Sequence, residues 1–271
     1  MSFIKTPLQK AEAAIAEADA VLIGAGAGLS TAAGINYSGP DFEKAFADMI
    51  AHYGFTDLYT SSFYPFKSEE EKWAYWSRHI DYARFAPEGK PLYRHLLELI
   101  QGKEYFVITT NVDGQFAKAG FDPDKVFEVQ GDYGLMQCAT ACHPKRYSNE
   151  SLVKQMVARQ KDCRIPSSLV PRCPVCGGPM EINVRKDQYF VEDDRWHQQA
   201  ERYYAFLEAT LGKKKLALLE YGVGFNTPTI IRFPFERMAT AYPDVTLIRI
   251  NKDYRECQTP GIRHFIGLES I

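Results

Sequence analysis

The chain has 271 residues, 45% of them hydrophobic and 24% charged, with a formal net charge of −2. Such a chain buries one good core, or one core plus a small appended module. The near-neutral balance gives no support to a nucleic-acid binder that works through bulk positive charge, and no apolar run has the length of a bilayer span.

Thr6-Pro7-Leu8-Gln9 opens a helix, with threonine as N-cap, proline at the first helical position and glutamine closing a capping box. The alanine-rich stretch to Ala18 continues it. Ala20–Gly24 (AVLIG) is a short apolar run ending in glycines, which suits a buried parallel strand. Because a charged, helix-patterned segment precedes that run, a secretory leader is not expected and the cytoplasm is the expected location.

The loop Gly24-Ala25-Gly26-Ala27-Gly28-Leu29-Ser30 follows the strand directly and precedes a helical pattern. Glycines there let backbone approach a phosphate at a helix N-terminus. The dehydrogenase fingerprint needs glycine at position 29, where this chain has leucine, and an acidic residue about 20 residues further on. Hydride transfer is therefore disfavoured.

Residues about 42–86 are aromatic-rich and helical in pattern, with Phe63, Tyr64, Phe66, Trp73, Trp76 and Tyr82, and read as a helical insertion over the sheet. At helical spacing Trp73, Trp76 and Tyr82 read as core before they read as a pocket wall. Pro91–Ile100 is a further helical pattern. Tyr105–Thr110, Leu216–Tyr221 and Val245–Ile250 repeat the apolar strand pattern. Strands alternating with helices predict an α/β fold with a mostly parallel sheet.

Cys138-x3-Cys142 and Cys173-Pro-Val-Cys176-Gly-Gly form two knuckles, the donor set for a tetrahedral structural zinc ion. His143 is an alternative ligand, and Cys163 and Cys257 are left over. Between the knuckles, HPKRYSNESLVKQ reads as a charged linker, so residues 133–190 read as a second small module.

Taken together, the Gly26–Ser30 loop, the Thr-x-Asn-x-Asp strand end (Thr109 to Asp113), the four-cysteine module, a glycine turn (Gly222, Gly224) and an Ile250-Asn251 strand end resemble the sirtuin family. The resemblance implies a Rossmann-like NAD-binding domain over residues 1–132 and 191–271, with a zinc-ribbon module at 133–190. It further implies that Gly26, Ala27, Gly28 and Ser30 cradle the pyrophosphate. Thr110 and Asn111 would lie at the nicotinamide ribose, Asp113 at the nicotinamide carboxamide, and Gly222, Gly224 and Asn251 at the adenosine half. Phe42 would cover the nicotinamide ring.

Three departures stand out. Deacylating sirtuins have a histidine base where this chain has Gln130, and a carboxamide has no useful basicity near neutral pH. Asn36-Tyr37-Ser38-Gly39 interrupts the segment after the loop, and Glu43 replaces an arginine. The usual peptide-clamping segment reads Asp187-Gln-Tyr-Phe-Val-Glu-Asp193. This pattern is similar to the macrodomain-linked microbial branch, class M. That branch implies NAD-dependent protein mono-ADP-ribosylation, an acceptor of the lipoyl-carrier (glycine-cleavage H) type and a macrodomain hydrolase as functional partner. Asn111 and Gln130 would then carry the chemistry; Arg185, which follows the second knuckle where the chain returns towards the cleft, is a further candidate, its guanidinium suited to a phosphate or an acidic acceptor. The rival expectations are an NAD-dependent deacylase, an NAD glycohydrolase, or a non-catalytic NAD or ADP-ribose sensor.

Overall fold

The computed structural model describes residues 5–270. Helix α1 (Pro7–Glu17) starts where the capping box places it, with both reciprocal Thr6–Gln9 bonds formed. It leads into β1 (Ala20–Ala25) and the short α2 (Ala27–Ala32). The aromatic segment folds as α3 (Pro40–Ala45), α4 (Ala47–Tyr53), α5 (Leu58–Ser61) and α6 (Glu69–Ile80), and α6 runs on into a π-helical turn, Asp81–Phe85. Then come α7 (Pro91–Leu99), β2 (Glu104–Thr109), α8 (Gln115–Lys118) and β3 (Val126–Glu128).

The cysteine-bearing part holds β4 (Gly131–Cys138), β5 (Tyr147–Ser148), α9 (Glu150–Arg159) and β6 (Met180–Val184). The chain finishes with α10 (Asp194–Thr210), β7 (Leu216–Tyr221), α11 (Arg232–Ala241), β8 (Val245–Ile250) and β9 (Phe265–Leu268). No helix among the described residues is long and apolar enough to cross a membrane.

Six strands form one parallel sheet in the order β3-β2-β1-β7-β8-β9. Chain order reverses between β1 and β7, and a crevice at such a switch point is where open α/β sheets bind ligands. Every residue of β1 and β7 is buried, which is why β1 is apolar throughout and β7 apolar but for one residue. The one charge in β7, Glu220, is opposite Arg249 of β8 in register. Both are fully buried, and two bonds of 2.7 and 3.0 Å join them. That fork lets a carboxylate and a guanidinium sit inside the sheet.

A second, antiparallel sheet (β5-β4-β6) carries the first cysteine at the end of β4. The stretch read as a charged linker is in part structured: β5 and the start of α9 fall within it. Val153 and Met156, three apart on α9, are fully buried in the aromatic core, so a two-residue apolar stripe outweighs the polar composition around it. Segment 187–193 forms no strand. Gln137 donates to the Tyr189 carbonyl at 2.6 Å and accepts from Val191 N–H at 2.9 Å, while Asn183 donates to the Val191 carbonyl at 3.1 Å. Two buried amides thus replace the backbone pairing.

Candidate active site

The site lies at the carboxyl ends of β1, β2 and β7. Gly26 N–H donates to Tyr221 O at 3.0 Å, and Gly28 N–H to Gly222 O at 2.9 Å. Gly222 has φ +64, and a Cβ on it would meet the Leu29 nitrogen at 2.3 Å; one on Gly28 would meet Gly222 Cα at 2.7 Å. The glycines therefore let two turns pack backbone to backbone. Two loop amides are spent on that contact, a use not anticipated from a phosphate-cradling reading. Ala27 and Gly28 face solvent, whereas Ser30 is buried.

The end of β2 is latched to the same loop. Thr110 N–H and Thr109 Oγ1 both donate to Ala25 O, at 3.0 and 3.1 Å, and Asn111 Nδ2 donates to Gly26 O at 3.0 Å. Asp113 accepts from the Ser30 hydroxyl at 2.5 Å and from Gln115 N–H at 3.1 Å. Burial raises the Asp113 pKa, while the Ser30 hydroxyl and Gln115 N–H pull it back down. Tyr93 of α7 completes the network, its hydroxyl 3.2 Å from Ser30 Oγ and 3.4 Å from Asn111 Nδ2. Nothing in PLYRHLLELI marks this tyrosine out from its apolar helical face.

Val129 N–H donates to Thr109 O at 3.2 Å, so the chain reaches Gln130 alongside this strand end. The Oε1 of Gln130 is buried with no hydrogen-bond partner, an acceptor left for something else to satisfy. Gly131 follows with φ +97, where a Cβ would meet Asn183 O at 2.0 Å, so β6 can pass this close only against glycine. Arg185 N–H donates to Gln130 O at 2.9 Å, which brings the expected arginine beside the expected glutamine. The Arg185 guanidinium pairs with Glu192 and lies 4.2 Å from the Phe190 ring centroid and 5.6 Å from that of Trp196. Glu192 was not anticipated.

At the ends of β7 and β8, Asn251 Nδ2 donates to Val223 O at 3.0 Å, and its Oδ1 accepts from Asp253 and Tyr254 N–H groups. Asn251 thereby ties the β7 turn to the β8 end. Gly224 meets nothing within 4 Å of where its Cβ would be. Phe42 does not cover the cleft. It is 1% exposed and stacks on Phe46 at 5.4 Å inside the helical insertion, as part of an aromatic core. Trp73 is likewise core, while Trp76 and Tyr133 line a cavity of about 570 Å³ that reaches Arg185.

The sulfur atoms of Cys138, Cys142, Cys173 and Cys176 all lie within 4.8 Å of one another. Two of the separations are 3.7 and 3.6 Å. A Zn–S bond of about 2.3 Å gives a tetrahedral edge of about 3.8 Å, so the donor set and its size fit a structural zinc ion. His143 stands outside the four, its Nδ1 3.0 Å from Cys142 Sγ and its Nε2 2.8 Å from Tyr147 Oη. Cys163 and Cys257 lie apart from the cluster.

Residues 26–211 match the Sir2 family. A protein ADP-ribosyltransferase of Staphylococcus aureus is 42% identical over 240 residues, 88% of this chain and 76% of the relative. A probable bifunctional ADP-ribose hydrolase/ADP-ribosyltransferase of Fusarium oxysporum is 34% identical over 248 residues, and the match spans 87% of this chain but 41% of that protein. In fold, the chain is similar to a mutant Sir2 homologue solved with 2′-O-acetyl ADP-ribose, with a TM-score of 0.59 over 97% of this chain and 90% of that one at 18% identity. Sheet order, glycine turn and cysteine cluster agree with a sequence match that covers most of the chain: the protein belongs to the Sir2 family.

Proposed function

We propose that this protein is an NAD-dependent protein ADP-ribosyltransferase. The observation that carries the reading is Gln130: it follows Val129, whose N–H is bonded to Thr109 O at the strand end leading into Asn111 and Asp113, and its buried Oε1 has no partner where a deacylase would need a base. A neutral carboxamide orients hydroxyls but takes no proton near neutral pH, so deacylation lacks its base while breakage of a polarised glycosidic bond does not depend on one. The Staphylococcus relative, which is named for ADP-ribosyl transfer to protein, supports the same reading.

When bound, NAD supplies an ADP-ribosyl group and a nicotinamide leaving group. The residues present fit it. Ala27 and Gly28, exposed at the start of α2, would face the pyrophosphate, while Gly26 and Ser30 would shape that turn through their bonds to Tyr221 O and Asp113; Gly222, Gly224 and Asn251 would line the adenosine half. Thr110 and Asn111 would face the nicotinamide ribose. Asp113, acceptor-only when ionised, would take the carboxamide N–H groups. Gln130 would hold the ribose hydroxyls through its unsatisfied oxygen, and Arg185 would orient the acceptor. Their common task is to hold the acceptor nucleophile in line and exclude water, which would otherwise make the protein a glycohydrolase.

The acceptor proposed is a lipoyl-carrier protein of the glycine-cleavage H type, with an ADP-ribose hydrolase of the macrodomain type as functional partner. The pairing of hydrolase and transferase in the name of the Fusarium relative supports that partnership. Intact mass of a lipoyl-carrier protein incubated with this protein and NAD tests the acceptor. A gain of one ADP-ribose, absent with Asn111→Ala, supports it; nicotinamide release with no mass gain would show that the acceptor is something else.

A further inference from the structure

Arg84 lies in the π-helical turn that extends α6, a helical irregularity that often marks functional sites. Its Nε and Nη2 donate to the two carboxylate oxygens of Asp132 at 2.8 and 3.1 Å, and Asp132 Oδ1 also accepts from Gly134 N–H at 2.7 Å. Both side chains are largely buried, at 17% and 12% exposure. The same guanidinium lies against the backbone of Gly114, where a Cβ would come within 2.2 Å of Arg84 Cζ.

Gly114 directly follows Asp113, and Asp132 is two residues after Gln130. One planar group is thus wedged between the two loops that carry the nicotinamide-side residues. The turn that presents it is itself pinned: Lys118 Nζ donates to the carbonyls of Arg84, Phe85 and Pro87, at 2.5, 3.3 and 2.6 Å.

We propose that Arg84 is a positioning residue for ADP-ribosyl transfer, setting the separation of Asp113 from Gln130 through its fork on Asp132 and its contact with Gly114. This rests on the NAD-dependent reading of the site. The function demands a guanidinium: a lysine ammonium at this place keeps the charge but loses both the two-pronged geometry and the flat face that Gly114 accommodates. A cavity of about 330 Å³ opens beside the pair, lined by Arg84, Lys118, Glu128, Asp132 and Arg195 among others, so a small cation can reach the position from solvent.

The test measures nicotinamide release from NAD (kcat and KM) and AMP affinity for wild type, Arg84→Lys, Arg84→Ala and Asp132→Asn. The proposal expects kcat to fall about tenfold or more in all three variants. AMP affinity should stay within about twofold, because the adenosine half sits at the far end of the site. Millimolar guanidinium should restore part of the Arg84→Ala rate. Wild-type kcat in Arg84→Lys, or kcat and AMP affinity falling together, would overturn the proposal. A wild-type protein that binds AMP yet releases no nicotinamide would instead overturn the transfer reading, and this proposal with it.

Discussion

The side-chain amide of Asn111 donates to the backbone carbonyl of Gly26 at 3.0 Å, so the end of β2 is latched to the turn after β1. A second bond, to the Tyr93 hydroxyl at 3.4 Å, ties the same amide to α7. One residue therefore fixes the distance between the loop proposed for the pyrophosphate and the residues proposed for the nicotinamide ribose.

Replacing Asn111 with alanine removes both bonds from a side chain in the proposed reacting end. Nicotinamide release should drop by about two orders of magnitude, since small misplacements at a reacting centre are that costly. The loss of stability should be only about 1–2 kcal/mol. Initial rates beside a thermal melt separate the two effects; a large stability loss with little change in rate would make the residue a fold element alone.

Gly222 and Gly224 are two residues apart but meet different surroundings. Gly222→Ala forces a side chain into φ +64 and to 2.3 Å from the Leu29 nitrogen. It should destabilise the fold by more than about 1 kcal/mol and abolish NAD binding. Gly224→Ala enters open space and should leave the melting temperature nearly unchanged. Differential scanning fluorimetry with and without NAD checks both, and equal effects at the two positions would contradict the backbone interlock.

The strand runs, the first helix and the cysteine knuckles were legible because each depends on local chemistry. Thr6 and Gln9 cap each other, β1 is apolar throughout, and the cysteines keep knuckle spacing. Strands β3 and β9, three and four residues long, are too short to show a period, and the antiparallel strands β4, β5 and β6 of the cysteine-bearing part were not expected either. The fork between Glu220 and Arg249, the wedge of Arg84 and the hydroxyl of Tyr93 join residues 29, 48 and 63 positions apart, which no local pattern announces. Phe42 illustrates the converse. Its motif neighbours suggested the cleft, and packing took it to the core.

Zinc should hold the antiparallel sheet and its knuckles together. Elemental analysis should find about one zinc per chain, and a strong chelator should lower the melting temperature and release the metal. Cys173→Ser, which removes a buried ligand, should reproduce the chelated state without chelator. A melt indifferent to both would show that the four thiols pack without a metal.

Glu128 gives a pH dependence with a definite sign. Desolvation and the neighbouring Asp132 carboxylate push its carboxyl from 4.5 up to about 8. Between those values the folded chain keeps a proton that the unfolded chain gives up. The stability this contributes is complete below about pH 4.5 and is lost as pH climbs through about 8. Glu128→Gln has no proton to lose, so its melting temperature relative to wild type should rise from about pH 5 to about pH 9. A difference that stays flat across that window would contradict the environment assigned to Glu128.

The most direct measurement follows the fate of the ADP-ribosyl group. Labelled NAD would be given to the protein together with an acyl-lysine peptide and a lipoyl-carrier protein, and protein-bound, acylated and free ADP-ribose separated. A site with Asn111 and Asp113 but a glutamine at 130 predicts label on protein, in step with nicotinamide released, and no acylated ADP-ribose. Acylated ADP-ribose formed at a rate comparable to nicotinamide release would contradict the account, because it would require at this site a base that Gln130 cannot be.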